Sequence, residues 1–120
     1  MIQLTNLTKK YADKMAVNNV SFQVHPGVVT GFLGPNGAGK TTTIRMILNL
    51  VSPTAGRVTV DGKSYPALDA PLKKIGAMVD ANAIDSRLTP KQHLAILTTA
   101  AGIDHGKVED ILAVVGLKEV

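Results

Sequence analysis

The stretch Gly34-Pro35-Asn36-Gly37-Ala38-Gly39-Lys40-Thr41-Thr42 decides the fold. From Gly34 to Thr41 it satisfies GxxxxGK[ST], a pattern that average residue frequencies place in about one chain in a hundred of this size. Its neighbours supply the context such a loop needs. Before it, residues 28–33 form a short, nearly continuous apolar run, which predicts a strand buried on both faces of a parallel sheet. After it, Ile44, Ile47, Leu48 and Val51 recur at helical spacing, predicting a helix with one face on that sheet, ended by Ser52-Pro53-Thr54-Ala55-Gly56. The cofactor-binding candidates of the loop are Asn36, Gly37, Ala38, Gly39, Lys40, Thr41 and Thr42. Gly37 and Gly39 let successive backbone N–H groups curl toward an anion, and the helix N-terminus adds partial positive charge. Lys40 is then placed to reach the β- and γ-phosphates as the catalytic candidate, Thr41 to give its hydroxyl to Mg²⁺, and Thr42 to touch the α-phosphate. Together they imply a nucleoside triphosphate with Mg²⁺, without fixing a reaction.

Outward from the loop, Ile2, Leu4 and Leu7, then Val20, Phe22 and Val24, alternate as two antiparallel strands closed by His25-Pro26-Gly27. Downstream, residues 57–60 alternate as another strand and stop at the turn dipeptide Asp61-Gly62, and residues 75–79 form a further strand candidate. Thr89-Pro90-Lys91-Gln92 carries an N-cap, a proline at the first helical position and a capping-box Gln, which opens a helix to about Ala101. A second helix has the apolar stripe Val108, Ile111, Leu112 and Val115, with Asp104 as its candidate cap and Gly116 as its end. The order is mixed β, strand–loop–helix, more β, then two helices: an α/β fold.

Composition excludes several other chemistries. The chain has 120 residues, 45% of them hydrophobic and 18% charged, ordinary for one globular domain or part of one. With no cysteine there is no disulfide, no thiolate zinc site and no thiol nucleophile. His25, His93 and His105 lack the spacing of a metal motif. The net charge of +4 comes from scattered lysines, and only Tyr11, Phe22, Phe32 and Tyr65 are aromatic, so direct nucleic-acid binding is not expected. No apolar run approaches the ~20 residues of a membrane helix, and no signal peptide opens the chain. Any membrane link is expected through a partner.

With these residues in hand, the chain resembles the N-terminal part of an ATP-binding cassette (ABC) transporter ATPase. Gly31-Phe32-Leu33-Gly34-Pro35-Asn36-Gly37-Ala38-Gly39-Lys40-Thr41-Thr42-Thr43 is similar to that family's form of the loop, and the segment from Ser52 to Gly62 resembles the turn, strand and turn that follow. Leu7-Thr8-Lys9-Lys10-Tyr11 resembles the segment whose aromatic stacks on adenine, which gives Tyr11 that role, and the same likeness puts Val17 in the adenine or ribose pocket. The resemblance implies a P-loop NTPase: an antiparallel β subdomain and strand–P-loop–helix core over residues 1–89, then the start of a helical subdomain over 90–120. It also implies ATP and Mg²⁺ as ligands, a membrane-embedded permease and a second ATPase subunit in a head-to-tail dimer as partners, and a cytoplasmic place on the inner face of the cell membrane.

The sequence departs from the family in two respects. Ile75-Gly76-Ala77-Met78-Val79-Asp80 resembles the strand leading to the Q-loop, where the family usually has Gln; here Asp80 takes its place as a candidate Mg²⁺ ligand, shorter, acidic and unable to donate when ionised. An acid there resembles a minority of bacterial antibiotic and peptide exporters. Second, the family's signature, Walker B aspartate, catalytic glutamate and switch histidine would follow Val120. The chain is therefore expected to be a fragment with slow or no hydrolysis of its own and an exposed apolar edge. Two other readings stay open: a compact P-loop kinase or GTPase with Asp80 as the Walker B residue, and a non-catalytic ATP-binding module. A cassette ATPase of translation or DNA repair is a third.

Overall fold

The computed structural model describes residues 1–120 as two compact units, Met1–Asp69 and Ala70–Val120. The first rests on a hairpin of β1 (Ile2–Tyr11) and β2 (Lys14–Val24), joined by Ala12 and Asp13. β3 (Ala55–Val60) pairs antiparallel with the other edge of β1, giving the order β2-β1-β3. Asp61-Gly62 turns the chain as expected: both residues take positive φ, 49° and 80°, while Val60 and Lys63 exchange backbone hydrogen bonds of 2.7 and 3.0 Å.

Strict alternation cannot put both Leu4 and Leu7, or both Val17 and Val20, on one face, because each pair is three apart. Bulges restore the phase. Asn6 and Asn19 sit at φ 48° and 51°, a conformation asparagine tolerates better than most residues, and each interrupts the register of the hairpin. Side chains satisfy the backbone that the bulges displace. The Ser21 hydroxyl accepts from Asn6 N–H at 2.8 Å, and the Thr8 hydroxyl accepts from Asn19 N–H at 3.0 Å. Leu4, Leu7 and Val17 consequently share one core with Met46, with Ile2, Val20, Phe22, Ile47, Val51 and Val58 around it.

Helix α1 (Lys40–Ile47) follows the glycine loop and ends sooner than its apolar pattern predicts. Asn49 takes φ 58°, its N–H reaches Met46 O at 3.1 Å, and Leu50 N–H reaches Arg45 O at 2.9 Å, the paired bonds of a Schellman stop. The buried face is only partly the expected one: Thr43 and Met46 are buried, Ile47 and Val51 pack against the core, and Ile44 is exposed. A 3₁₀ turn, Tyr65–Ala67, closes this unit.

Two strand expectations are corrected. Residues 28–33 and 75–79 form no strand. A strand exists through its neighbours' hydrogen bonds, and 28–33 joins neither open edge of the β2-β1-β3 sheet. Val29 and Leu33 are 100% and 92% exposed, the reverse of the burial their apolar character predicts. Phe32 alone finds an aromatic partner, the Phe22 ring at 5.2 Å between centroids.

The second unit holds α2 (Pro71–Lys74), α3 (Pro90–Ala101) and α4 (Gly106–Val114). The capping box forms as the sequence predicts: Thr89 Oγ1 accepts from Gln92 N–H at 3.2 Å, and Gln92 Oε1 accepts from Thr89 N–H at 3.0 Å. Gly102 and Gly116 end α3 and α4 at φ 63° and 73°. The Asp104 carboxylate accepts from Gly106 N–H at 3.2 Å at the mouth of α4. Val108 and Leu112 are buried where α4 packs on α3, while Ile111 and Val115, expected in the same stripe, are exposed. No helix is long and apolar enough to cross a membrane.

Candidate functional site

The glycine loop is carried between the hairpin and the start of α1, and it approaches β2 closely at Gly39. Between Lys9↔Val17 and Lys10↔Met15 the register shifts, leaving Ala16 as the extra residue of a bulge. Gly39, at φ 91°, lies so close to this bulge that a Cβ on it would stand 2.2 Å from the Ala16 carbonyl oxygen and 3.0 Å from Val17 Cγ2. Only glycine fits there, on both conformational and steric grounds. Gly37 also has positive φ, 83°, but open space around it.

Gly39 is the N-cap of α1, has no side chain to satisfy the first-turn donors, and is followed by no acidic residue in that turn. The first intrahelical bond is Thr43 N–H to Gly39 O at 2.9 Å. The N–H groups before it are the orphan donors of a helix start, and they carry the positive end of the helix dipole. The Thr43 hydroxyl, buried, donates to Gly39 O at 2.9 Å. Lys40 bends back over the loop, donating to Gly34 O and, at 2.8 Å, to Pro35 O. Its ammonium thus sits among loop carbonyls on the anion-facing side of the helix start.

Tyr11, Lys14, Ala16, Asn36, Gly37, Gly39, Lys40, Thr41 and Thr42 line one cavity of about 330 Å³. No acidic side chain is among them, so two lysines and a helix start set its potential. Tyr11 is 47% exposed, and Lys9 Nζ stands 4.9 Å from its ring centroid while donating to Ser52 O at 2.8 Å. One ring face is therefore covered by a cation. The lysine reaching the Ser52 carbonyl ties the end of β1 to the turn after α1.

Most of the loop residues expected from sequence, together with Tyr11, do share this cavity. Ala38 lies instead in the wall of a neighbouring hollow beside Val17 and Phe32. Val17 is buried in the core under Gly39, and its neighbour Ala16 takes the place on the cavity wall. Asp80 belongs to the second unit, where its carboxylate accepts from Asn82 N–H at 2.9 Å. Lys14 and Ala16 were not singled out by sequence reasoning. The signal that could have found them is the two-residue turn at Ala12-Asp13, which places Lys14 opposite Tyr11.

A glycine loop at a helix start, a lysine over it and a cavity with an aromatic at one end define a P-loop nucleotide-binding protein of α/β architecture. A profile of the ABC transporter family matches residues 17–120, and the chain belongs to that family. It is 38% identical over 121 residues to the bacitracin transport ATP-binding protein of Bacillus licheniformis, covering 98% of this chain and 39% of that protein. It is 31% identical over 120 residues to a lantibiotic transport ATP-binding protein of Streptococcus pyogenes, covering 100% of this chain and 52% of the relative. Among solved structures, the ATP-binding subunit of an ABC transporter matches with a TM-score of 0.73 and 26% identity over 87% of this chain and 44% of that one. The chain thus spans between about two-fifths and half of the length of these relatives.

Proposed function

We propose that this chain is the part of an ABC transporter ATPase that grips MgATP. The observation that carries the reading is the cavity in which the bare N-terminus of α1, Lys40 and Tyr11 converge. Adenine stacks on the open face of Tyr11. The phosphates replace the loop carbonyls as partners of the Lys40 ammonium and take the N–H groups of the loop and first turn, an exchange that needs only rotation of the lysine side chain. Thr41 supplies a hydroxyl to Mg²⁺, and Asn36, Gly37, Ala38, Gly39 and Thr42 shape the phosphate cradle. Asp80 holds the sequence place of the usual Q-loop Gln and offers a carboxylate of the kind that ligates Mg²⁺ directly or through water. Val17 supports the cradle from the core, at the edge of the ribose pocket.

In the complete protein the division is a β subdomain with P-loop core over residues 1–89 and a helical subdomain beginning at 90. Two such subunits close head to tail on ATP, hydrolyse it, and drive transport through a membrane-embedded permease that holds them at the cytoplasmic face of the membrane. An antibiotic is the cargo this reading favours, by likeness to the bacitracin and lantibiotic transport proteins. Residues 1–120 by themselves bind MgATP but turn it over slowly or not at all.

Phosphate release by the full-length protein in membranes with its permease tests this. Lys40→Ala is expected to lower turnover by about a hundredfold or more, as loss of a charge stabiliser at the transferred phosphoryl does. Unchanged turnover in that variant would sink the reading.

A further inference from the structure

We propose that Lys14 is a further nucleotide-binding residue, a cation that meets the phosphate nearest the base. The inference rests on the nucleotide reading above. Tyr11 and Lys14 are direct partners across the two-residue turn of the hairpin, and directly opposed residues of an antiparallel pair project from the same face. Lys14 lines the same cavity as Thr42 and Lys40.

The two lysines of that cavity differ in what holds them. Lys40 is engaged by Gly34 O and Pro35 O. The Lys14 ammonium makes no hydrogen bond or ion pair with the chain, although a four-carbon stem and three donors would let it do so. No carboxylate lines the cavity to neutralise it.

Position along the cavity assigns the phosphate. A nucleotide with its base on Tyr11 and its terminal phosphates in the glycine loop runs from the hairpin toward α1. Lys40 stands at the loop end, whereas Lys14 stands beside the ring. The phosphate within its reach is the first one after the ribose, which ATP and ADP share and adenosine lacks.

Calorimetric titration of the 120-residue chain with MgATP, MgADP and adenosine tests this with Lys14→Met and Lys14→Arg. Lys14→Met is expected to weaken ATP and ADP alike, by about three- to tenfold for one charge-assisted contact at an exposed site, and to leave adenosine and the melting temperature unchanged. Lys14→Arg should restore most of the loss. Wild-type affinity for both nucleotides in Lys14→Met would overturn the proposal, as would an equal loss on adenosine or a loss confined to ATP. Absence of Lys40-dependent MgATP binding in the wild-type chain is a separate result, and it would remove the nucleotide reading itself.

Discussion

Lys9 shows how much a single side chain can settle at this site. Its ammonium lies over one face of Tyr11 and donates to the Ser52 carbonyl, so it covers that face of the ring. An exposed cation–π contact of this kind is worth about 0.5–1 kcal/mol. Lys9→Met is accordingly expected to weaken MgATP binding by about two- to fivefold while leaving inorganic tripolyphosphate binding unchanged; equal weakening of both would show that Lys9 merely supports the fold. The places of Lys40 and Thr41 on the cavity wall were legible in the sequence because the loop motif is local and its geometry follows from glycine spacing. Lys9 and Lys14 were not, since their places depend on cross-strand register, which the bulges at Asn6, Asn19 and Ala16 reset. Val17 reads as an apolar strand residue and lies in the core, one residue from the cavity wall.

At the level of elements, the loop and the hairpin are fitted to each other through Gly39. A methyl there meets the Ala16 carbonyl at 2.2 Å in a conformation L residues avoid, whereas at Gly37 only the conformational cost applies. Gly39→Ala should therefore lose about 2 kcal/mol or more in urea unfolding, and Gly37→Ala about 1 kcal/mol; equal losses would mean the loop does not pack on β2 as described. In the second unit, Lys91 on α3 pairs with Glu109 on α4. The hydrogen bond from Lys91, and then its charge, hold the Glu109 carboxyl below its ordinary value. A lowered folded pKa means a contribution that is complete above the ordinary glutamate range and lost as pH falls through the lowered value. Glu109→Gln should slightly lower the melting temperature at pH 7, with the difference closing on acidification and shrinking in high salt. A gap that persists unchanged at pH 3 would contradict this assignment. The capping box at Thr89 and the glycine stops at 102 and 116 were readable in sequence, because caps are local chemistry. The early end of α1 was not: Ile47, Leu48 and Val51 keep helical spacing through a stop set by Asn49 in a left-handed conformation.

For the whole molecule, the sequence conveyed the class of fold and the place of the phosphate loop, but overstated the sheet. Apolar runs at 28–33 and 75–79 look like buried strands because hydrophobicity reports what a segment is suited to bury, whereas strand formation needs partners, and 28–33 pairs with none of β1, β2 and β3. The three strands of the sheet were legible from alternation and from turns such as Asp61-Gly62, but the pairing of β3 with β1, across the whole loop and α1, was not. The start of α1, Lys40 and Tyr11 line one cavity, the proposed nucleotide site. Calorimetric titration of the 120-residue chain with MgATP, beside Lys40→Ala and Tyr11→Ala, tests that claim most directly. The account predicts one site per chain, lost or weakened at least tenfold in Lys40→Ala and weakened about five- to a hundredfold in Tyr11→Ala, the range expected for losing one stacked base. Binding that survives both substitutions intact would contradict it.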